Sequence, residues 1–248
     1  KIPAYSIHDL SRIGSSKKKL EHLVDSQIFE INDIPEEFEL TPNQKNQVYV
    51  HKTQKPIIDL MAIKNELKSL SYPLYFLDYE TYPSAIPLFN GYKPYQHIPF
   101  QFSLHILNEP NGELSHFDYL HQEATDPSQA IITELRKIIG PEGRIIVWHK
   151  SFERDRNKEL AERNPEHVDF FDDLNDRLYD LEDIFKKQFH VHHGFRGKTS
   201  IKKILPVLVP KLSYKELEIK EGGSAMEAWH EMVFGSGTEK EKLKIADN

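Results

Sequence analysis

Cysteine is absent from the 248 residues. That excludes disulfides and thiolate-ligated metal centres, and it is compatible with a reducing compartment, so a cytoplasmic location is expected. No apolar run approaches the roughly 20 residues that span a bilayer, so no membrane association is expected. The opening residues Lys1-Ile2-Pro3-Ala4-Tyr5 contain no apolar core of a secretory signal, and a first residue other than Met points to a fragment or a processed chain. Basic residues are not in excess: 32 Lys and Arg face 39 Asp and Glu, a net charge of −7. Bulk attraction to nucleic acid is thereby excluded, and any such partner must be held by a local basic patch or through metal ions. A hydrophobic fraction of 38% with 11% aromatics is enough for a real core. The length fits one large domain, or one medium domain with a small partner.

One stretch organises the rest. Residues 74–82 read Leu-Tyr-Phe-Leu-Asp-Tyr-Glu-Thr-Tyr, an apolar and aromatic run led in by Pro73, which predicts a buried strand. Side chains alternate across a strand, so Phe76, Asp78 and Glu80 share one face while Tyr75, Leu77 and Tyr79 share the other. Asp-x-Glu is common in acidic chains, where most copies are solvated turns. The strand in front sets this copy apart. Two carboxylates projecting from one face repel and resist desolvation, and a hard divalent cation such as Mg²⁺ or Mn²⁺ relieves both penalties.

The pattern before this strand, residues 1–70, predicts short helices. Ser6 caps a first helix ended by Gly14, Ser16 opens a second, Thr41-Pro42 starts a third running to about residue 52, and a fourth covers about 58–70. Lys17-Lys18-Lys19 reads as a solvated helix face. After residue 73 strands and helices alternate. Strands are expected over 100–107, 114–120 and 144–148, with a helix opened by Pro127 and stopped by Gly140-Pro141. That succession predicts a mixed sheet with helices packed on it. Ser151 is expected to cap a helix reaching residue 163. Glu153 then falls in the first turn, at the carboxyl end of the preceding strand, where open α/β sheets place their active sites. Acids in a first turn are also favoured by the helix dipole alone.

The acid-rich stretches 169–176 and 180–183 read as solvated helix surface, with 180–185 a further strand-to-helix entry. His190, His192 and His193 lack the usual ligand spacing for zinc. Thr199-Ser200 caps a helix over 201–205 that Pro206 breaks. Lys198, Lys202 and Lys203 form the best basic patch, at a helix N-terminus where phosphate is favoured. Gly222-Gly223-Ser224 starts a helix through Trp229, and another begins near Thr238.

Asp78-Tyr79-Glu80 at the end of a first strand resembles the first motif of the DEDD-type exonucleases, ribonuclease-H-like proteins. Their second motif, His-Asn-x-x-Phe-Asp, aligns with Trp148-His149-Lys150-Ser151-Phe152-Glu153, with His in place of Asn and Glu in place of Asp. Three further pieces resemble the domain of unknown function found behind RecB-like nuclease domains in bacteria and archaea: the helical lead-in ending near Phe38-Glu39-Leu40-Thr41, the segment Pro99-Phe100-Gln101-Phe102-Ser103-x-His105, and Gly197-x-x-Ser200-Ile201-Lys202 running through Leu205-Pro206 to Leu212-Ser213-Tyr214.

The resemblance implies a ribonuclease-H-like mixed α/β sheet over 71–248, preceded by a small helical segment over 1–70. It implies a metal-dependent 3′-to-5′ exonuclease using two Mg²⁺ or Mn²⁺ ions, with Asp78, Glu80 and Glu153 as ligands. Lys198, Lys202, Lys203 and His149 would contact a single-stranded DNA or RNA substrate. Asp247 is the in-chain candidate for a fourth acid, and the resemblance places the usual fourth acid on a late helix continuing past residue 248. An attached RecB-like nuclease is an implied partner. The competing reading is a catalytically degraded nucleic-acid-binding adaptor for such a nuclease.

Overall fold

The computed structural model describes residues 3–212, 222–238 and 246. In chain order the elements are α1 (Lys17–Asp25), α2 (Pro42–Thr53), β1 (Ile57–Ile58), α3 (Leu60–Lys68), β2 (Leu74–Pro83), β3 (His97–Leu107), β4 (Leu114–Leu120), α4 (Ser128–Ile138), β5 (Arg144–Val147), α5 (Lys150–Arg163), α6 (Val168–Arg177), β6 (Leu178–Asp180), α7 (Asp183–Lys186), β7 (His190–Val191), α8 (Ile201–Leu208) and α9 (Gly222–Phe234), joined by turns and short 3-10 segments. They form two compact units. One comprises Lys1–Lys68 with Glu182–Ser213, the other Ser69–Leu181 with Tyr214–Asn248. The first break falls between Lys68 and Ser69. The segment 182–213 groups with the N-terminal helices, because β7 pairs antiparallel with β1.

The second unit is the expected α/β domain: a mixed five-stranded sheet in the order β4-β3-β2-β5-β6, flanked by helices. β3 runs antiparallel to both neighbours, while β2, β5 and β6 are parallel. Tyr75, Leu77 and Tyr79 of β2 are buried with Phe102 and Leu104 of β3, and with Ile131, Ile132 and Leu135 of α4. Leu160 of α5 and Phe171 and Leu174 of α6 complete this core. The opposite alternation, Phe76, Asp78 and Glu80, is half-buried or exposed, as the strand pattern predicts. Beside the carboxyl end of β2, Trp229 of α9 stacks on Phe100 (4.7 Å) and donates its indole N–H to the His121 carbonyl (2.7 Å), so α9 is tied to β3 and to the end of β4.

In the first unit, Ile7, Leu10, Ile13, Leu23, Ile31, Ile34 and Val48 share a core. The expected helix from Ser6 is two 3-10 turns, Ile7–Asp9 and Ile13–Ser15, separated by Arg12 at φ 55°. Thr41 caps α2 as expected, with Gln44 closing the reciprocal bond to its backbone. The expected fourth helix is shorter, because residues 57–58 pair as β1. Pro206 lies inside α8, which runs on to Leu208, so it does not end that helix as expected. The helix expected near Thr238 falls almost wholly outside the described residues.

Gln47 is the hub of this unit. Its amide donates to the Tyr5 hydroxyl (2.7 Å) and the Asp9 carbonyl (3.0 Å), and its oxygen accepts from the Ser11 N–H (2.9 Å). Gly197 packs directly on that amide at φ +68°, where a Cβ would overlap the Gln47 side chain. Gly197→Ala combines backbone strain with this overlap, and should cost about 2–3 kcal/mol in urea unfolding followed by circular dichroism. Gly14→Ala, with open space at the Cβ position, is the control and should change stability by less than about 0.5 kcal/mol. Equal effects at the two positions would contradict the hub.

Candidate active site

The site is built where one strand outruns its neighbour. β2 pairs with β5 only from Leu74↔Arg144 to Phe76↔Ile146, whereas its pairing with β3 continues to Pro83↔His97. From Asp78 onward β2 has therefore lost its β5 neighbour. β5 ends at Val147, and α5 begins at Lys150 after a single residue in left-handed conformation, His149 (φ 79°, ψ 61°). This turn opens a notch beside Asp78 and sends the first turn of α5 into it. Ser151 is not the cap, contrary to expectation: His149 occupies the cap position without a side-chain cap bond. The N–H groups of His149 and Lys150 instead donate to the two carboxylate oxygens of Asp180, at 3.0 and 3.1 Å.

Glu153 sits in the first turn of α5 and is only 2% exposed. One of its carboxylate oxygens, Oε2, is buried with no hydrogen-bond partner among the described residues. Burial pushes its pKa up to about 8, its own backbone N–H working against this. The charges of Asp78 and Asp180 push it further up, and Arg156 opposes them. Asp78 is open to solvent, yet the surrounding protein still raises its pKa by desolvation, with the Tyr79 N–H counteracting. Asp78 and Glu153 are thus close enough to feel each other. Glu80 shares the Asp78 face, opposite Gln101 of β3.

α5 is fixed further along its length. The buried Tyr79 hydroxyl donates to Asn157 Oδ1 (3.0 Å), and Asn157 donates to Asn175 Oδ1 of α6 (3.0 Å). Tyr79 is held well above its usual pKa by burial and by Glu153, so it stays a donor. Two more polar side chains are fixed on the elements that carry these residues, His97 on β3 and Arg156 on α5. His97 makes a 2.7 Å bond with Thr81 Oγ1, and its pKa is lowered by burial and by Arg156. Arg156 lies over the Phe152 ring (4.8 Å) and pairs with Glu159 (2.7 Å).

Sequence reasoning assigned no role to His97, Arg156 or Asp180. Asp180 was hidden in an acid-rich stretch that reads as solvated surface, whereas it is the last residue of β6 and 8% exposed. Lys198, Lys202 and Lys203 are exposed around the start of α8, in the other compact unit. Asp247 lies outside the described residues. Among the described residues no three histidine, aspartate or glutamate side chains are grouped so as to hold a metal ion. A groove of about 480 Å³ between α4 and α6, lined by Arg136, Phe170, Asp173 and Arg177, contains none of the carboxylates above. Among the described residues no helix is long and apolar enough to cross a membrane.

A family model described as Domain of unknown function (DUF2779) matches residues 75–200, half of the chain and the stretch that carries the whole notch. Among curated proteins, the chain is 29% identical over 202 residues to the Uncharacterized protein UU173 of Ureaplasma parvum, covering 72% of this chain and 27% of that protein. It is 27% identical over 184 residues to the Uncharacterized protein MG366 of Mycoplasma genitalium, covering 66% and 27%. The matched stretch thus spans about a quarter of the length of either relative. No solved structure matches the chain.

The Glu153 carboxyl makes the stability of the unit depend on pH. Unfolded, it ionises near 4.5; folded, near 8. Between those values the native chain keeps a proton that the unfolded chain releases, so stability falls as pH rises through that window. Glu153→Gln removes this loss. In the absence of divalent cations it should raise Tm by roughly 5 °C or more at pH 8 and by little at pH 4.5. A gain of the same size at both pH values would contradict the assignment.

Proposed function

The chain belongs to the DUF2779 family, and on that premise we propose that it is a divalent-cation-dependent nuclease, a 3′-to-5′ exonuclease acting on single-stranded nucleic acid. The observation that carries the reading is the buried Glu153 oxygen without a partner, beside a second carboxylate whose ionisation is also disfavoured. Mg²⁺ or Mn²⁺ fits this donor set, since carboxylate oxygens are hard ligands and a cation reverses both pKa shifts. Asp78 and Glu153 are the pair that would hold it; Glu80, on the Asp78 strand face, is the proposed third ligand and would have to turn toward them, since the three are not grouped around one point. When bound, such ions supply an activated water and neutralise charge on a phosphodiester.

The chain's own contribution is positioning. Asp78 stands on a strand pinned by β3, and Glu153 on a helix pinned to that strand through Tyr79 and Asn157. Both carboxylates are thereby carried on fixed elements. His97, on β3 and in edge contact with Phe152 of α5, is the imidazole proposed as proton acceptor, and its lowered pKa keeps it neutral at pH 7. His149, at the turn, and the exposed Lys198, Lys202 and Lys203 are the proposed contacts to the nucleic-acid backbone. In a chain of net charge −7 these cations would carry most of the salt dependence. An attached RecB-like nuclease remains the proposed partner.

Two experiments test the reading. Mn²⁺ should raise the Tm of the wild-type chain and support shortening of a 5′-labelled oligonucleotide from its 3′ end. Asp78→Ala should lose the Mn²⁺ shift and at least about 100-fold of the rate. A wild-type chain that binds oligonucleotide and never cleaves it would replace this reading by the adaptor. Replacing Lys198, Lys202 and Lys203 together by Ala should reduce the slope of log affinity against log salt by about 2 for a single strand. An unchanged slope removes these lysines from the interface.

A further inference from the structure

We propose that Asp180 is the positioning residue of this site: through the backbone N–H groups of His149 and Lys150 it holds the turn that delivers Glu153 beside Asp78. The inference rests on reading the notch as a carboxylate site, and it adds a residue that acts on that site through the backbone.

The geometry is specific. β6 pairs with β5 through Val147↔Asp180, and the Leu181 N–H donates to the Val147 carbonyl (2.9 Å), so Asp180 is zipped against the last residue of β5. Its side chain meets the chain directly after Val147. Oδ1 takes the His149 N–H and Oδ2 the Lys150 N–H. These two groups belong to the start of α5, where N–H donors have no intrahelical partner. A carboxylate offers two oxygens at this spacing, and its charge suits the positive end of the helix. Lys150 adds a third tie, its ammonium donating to the Leu178 carbonyl of the same strand (2.9 Å).

The clamp is needed because His149 is not glycine. The left-handed conformation is unfavourable for a residue with a Cβ, and without support the turn would relax to an ordinary helix entry. A relaxed turn rotates the first turn of α5, and Glu153 with it. The Tyr79–Asn157–Asn175 bonds fix the helix one turn further on. Glu153 therefore lies between two anchored points, and Asp180 supplies the first.

The test compares Asp180→Ala and Asp180→Asn in the full chain. Three quantities are read: hydrogen exchange at the His149 and Lys150 amides, the position of Glu153 relative to Asp78 in crystal structures of the variants, and Mn²⁺ affinity by calorimetry. In Asp180→Ala the two amides should lose protection, Glu153 should move away from Asp78, and the Mn²⁺ Kd should weaken by about 10- to 100-fold. Asn keeps one acceptor oxygen and should fall between wild type and Ala in all three. That graded rescue is what a purely destabilising effect, followed separately by Trp fluorescence unfolding, would not produce. An unmoved Glu153 with wild-type Mn²⁺ affinity in Asp180→Ala overturns the proposal, and so does an Asn variant as impaired as Ala. If Asp180→Ala fails to fold, the Asn variant decides by the same readouts. If the wild-type chain itself binds no Mn²⁺, the nuclease reading fails, while the position of Glu153 in the variants still decides the clamp.

Discussion

A buried carboxyl whose oxygen makes no hydrogen bond is an unfavourable thing to build, and much of this sheet domain is arranged around one. Water would solvate Glu153 if it could reach it, and a donor side chain would stabilise it if one were aimed at Oε2. Neither happens. The helix is instead held so that the carboxyl lies within electrostatic range of Asp78, whose charge disfavours its ionisation. Two acids kept together against their own electrostatics are maintained only because other contacts outweigh the cost. Those contacts are identifiable: the pairing of β2 with β3 along its whole length, the Asp180 bonds to the α5 entry, and the buried Tyr79–Asn157–Asn175 chain. Each fixes one side of the notch. The arrangement is what a cation site looks like before its cation, stable enough to persist and poised to gain by binding.

The two compact units use the same devices for different ends. In the sheet unit the left-handed residue, His149, opens a turn that carries chemistry. In the other unit the positive-φ residue, Gly197, lets a loop settle on Gln47, which ties three segments together through one amide. The run Gly197-x-x-Ser200-Ile201-Lys202, distinctive as a sequence pattern, is thus at least partly architectural. Gly197 is required by close approach, and Thr199 bonds Glu182.

What was legible in the sequence follows the range of each interaction. Strand alternation is local, so the shared face of Asp78 and Glu80 and the burial of Tyr75, Leu77 and Tyr79 could be read directly. The helix carrying Glu153 in its first turn was equally clear, because a strand exit, a polar turn and a helix follow one another within ten residues. The cap was misread. Ser151 satisfies every local rule for one, and the groups that do the work belong to Asp180, 31 positions from His149 along the chain. The grouping of 182–213 with the N-terminal helices rests on the β1–β7 pairing, again non-local. Pro206 inside α8 shows the converse: a local breaker can be accommodated in a short helix whose apolar face is anchored by Ile204.

The central claim is that Glu153 is a cation ligand held protonated until the cation arrives. Its carboxyl pKa can be followed by ¹³C NMR in the wild-type chain, with and without the diamagnetic ion Mg²⁺. The account predicts titration near 8 in the absence of the ion, falling by more than about one unit when Mg²⁺ is added at saturating concentration. An ordinary glutamate value without Mg²⁺, or a raised value that Mg²⁺ leaves in place, would contradict it.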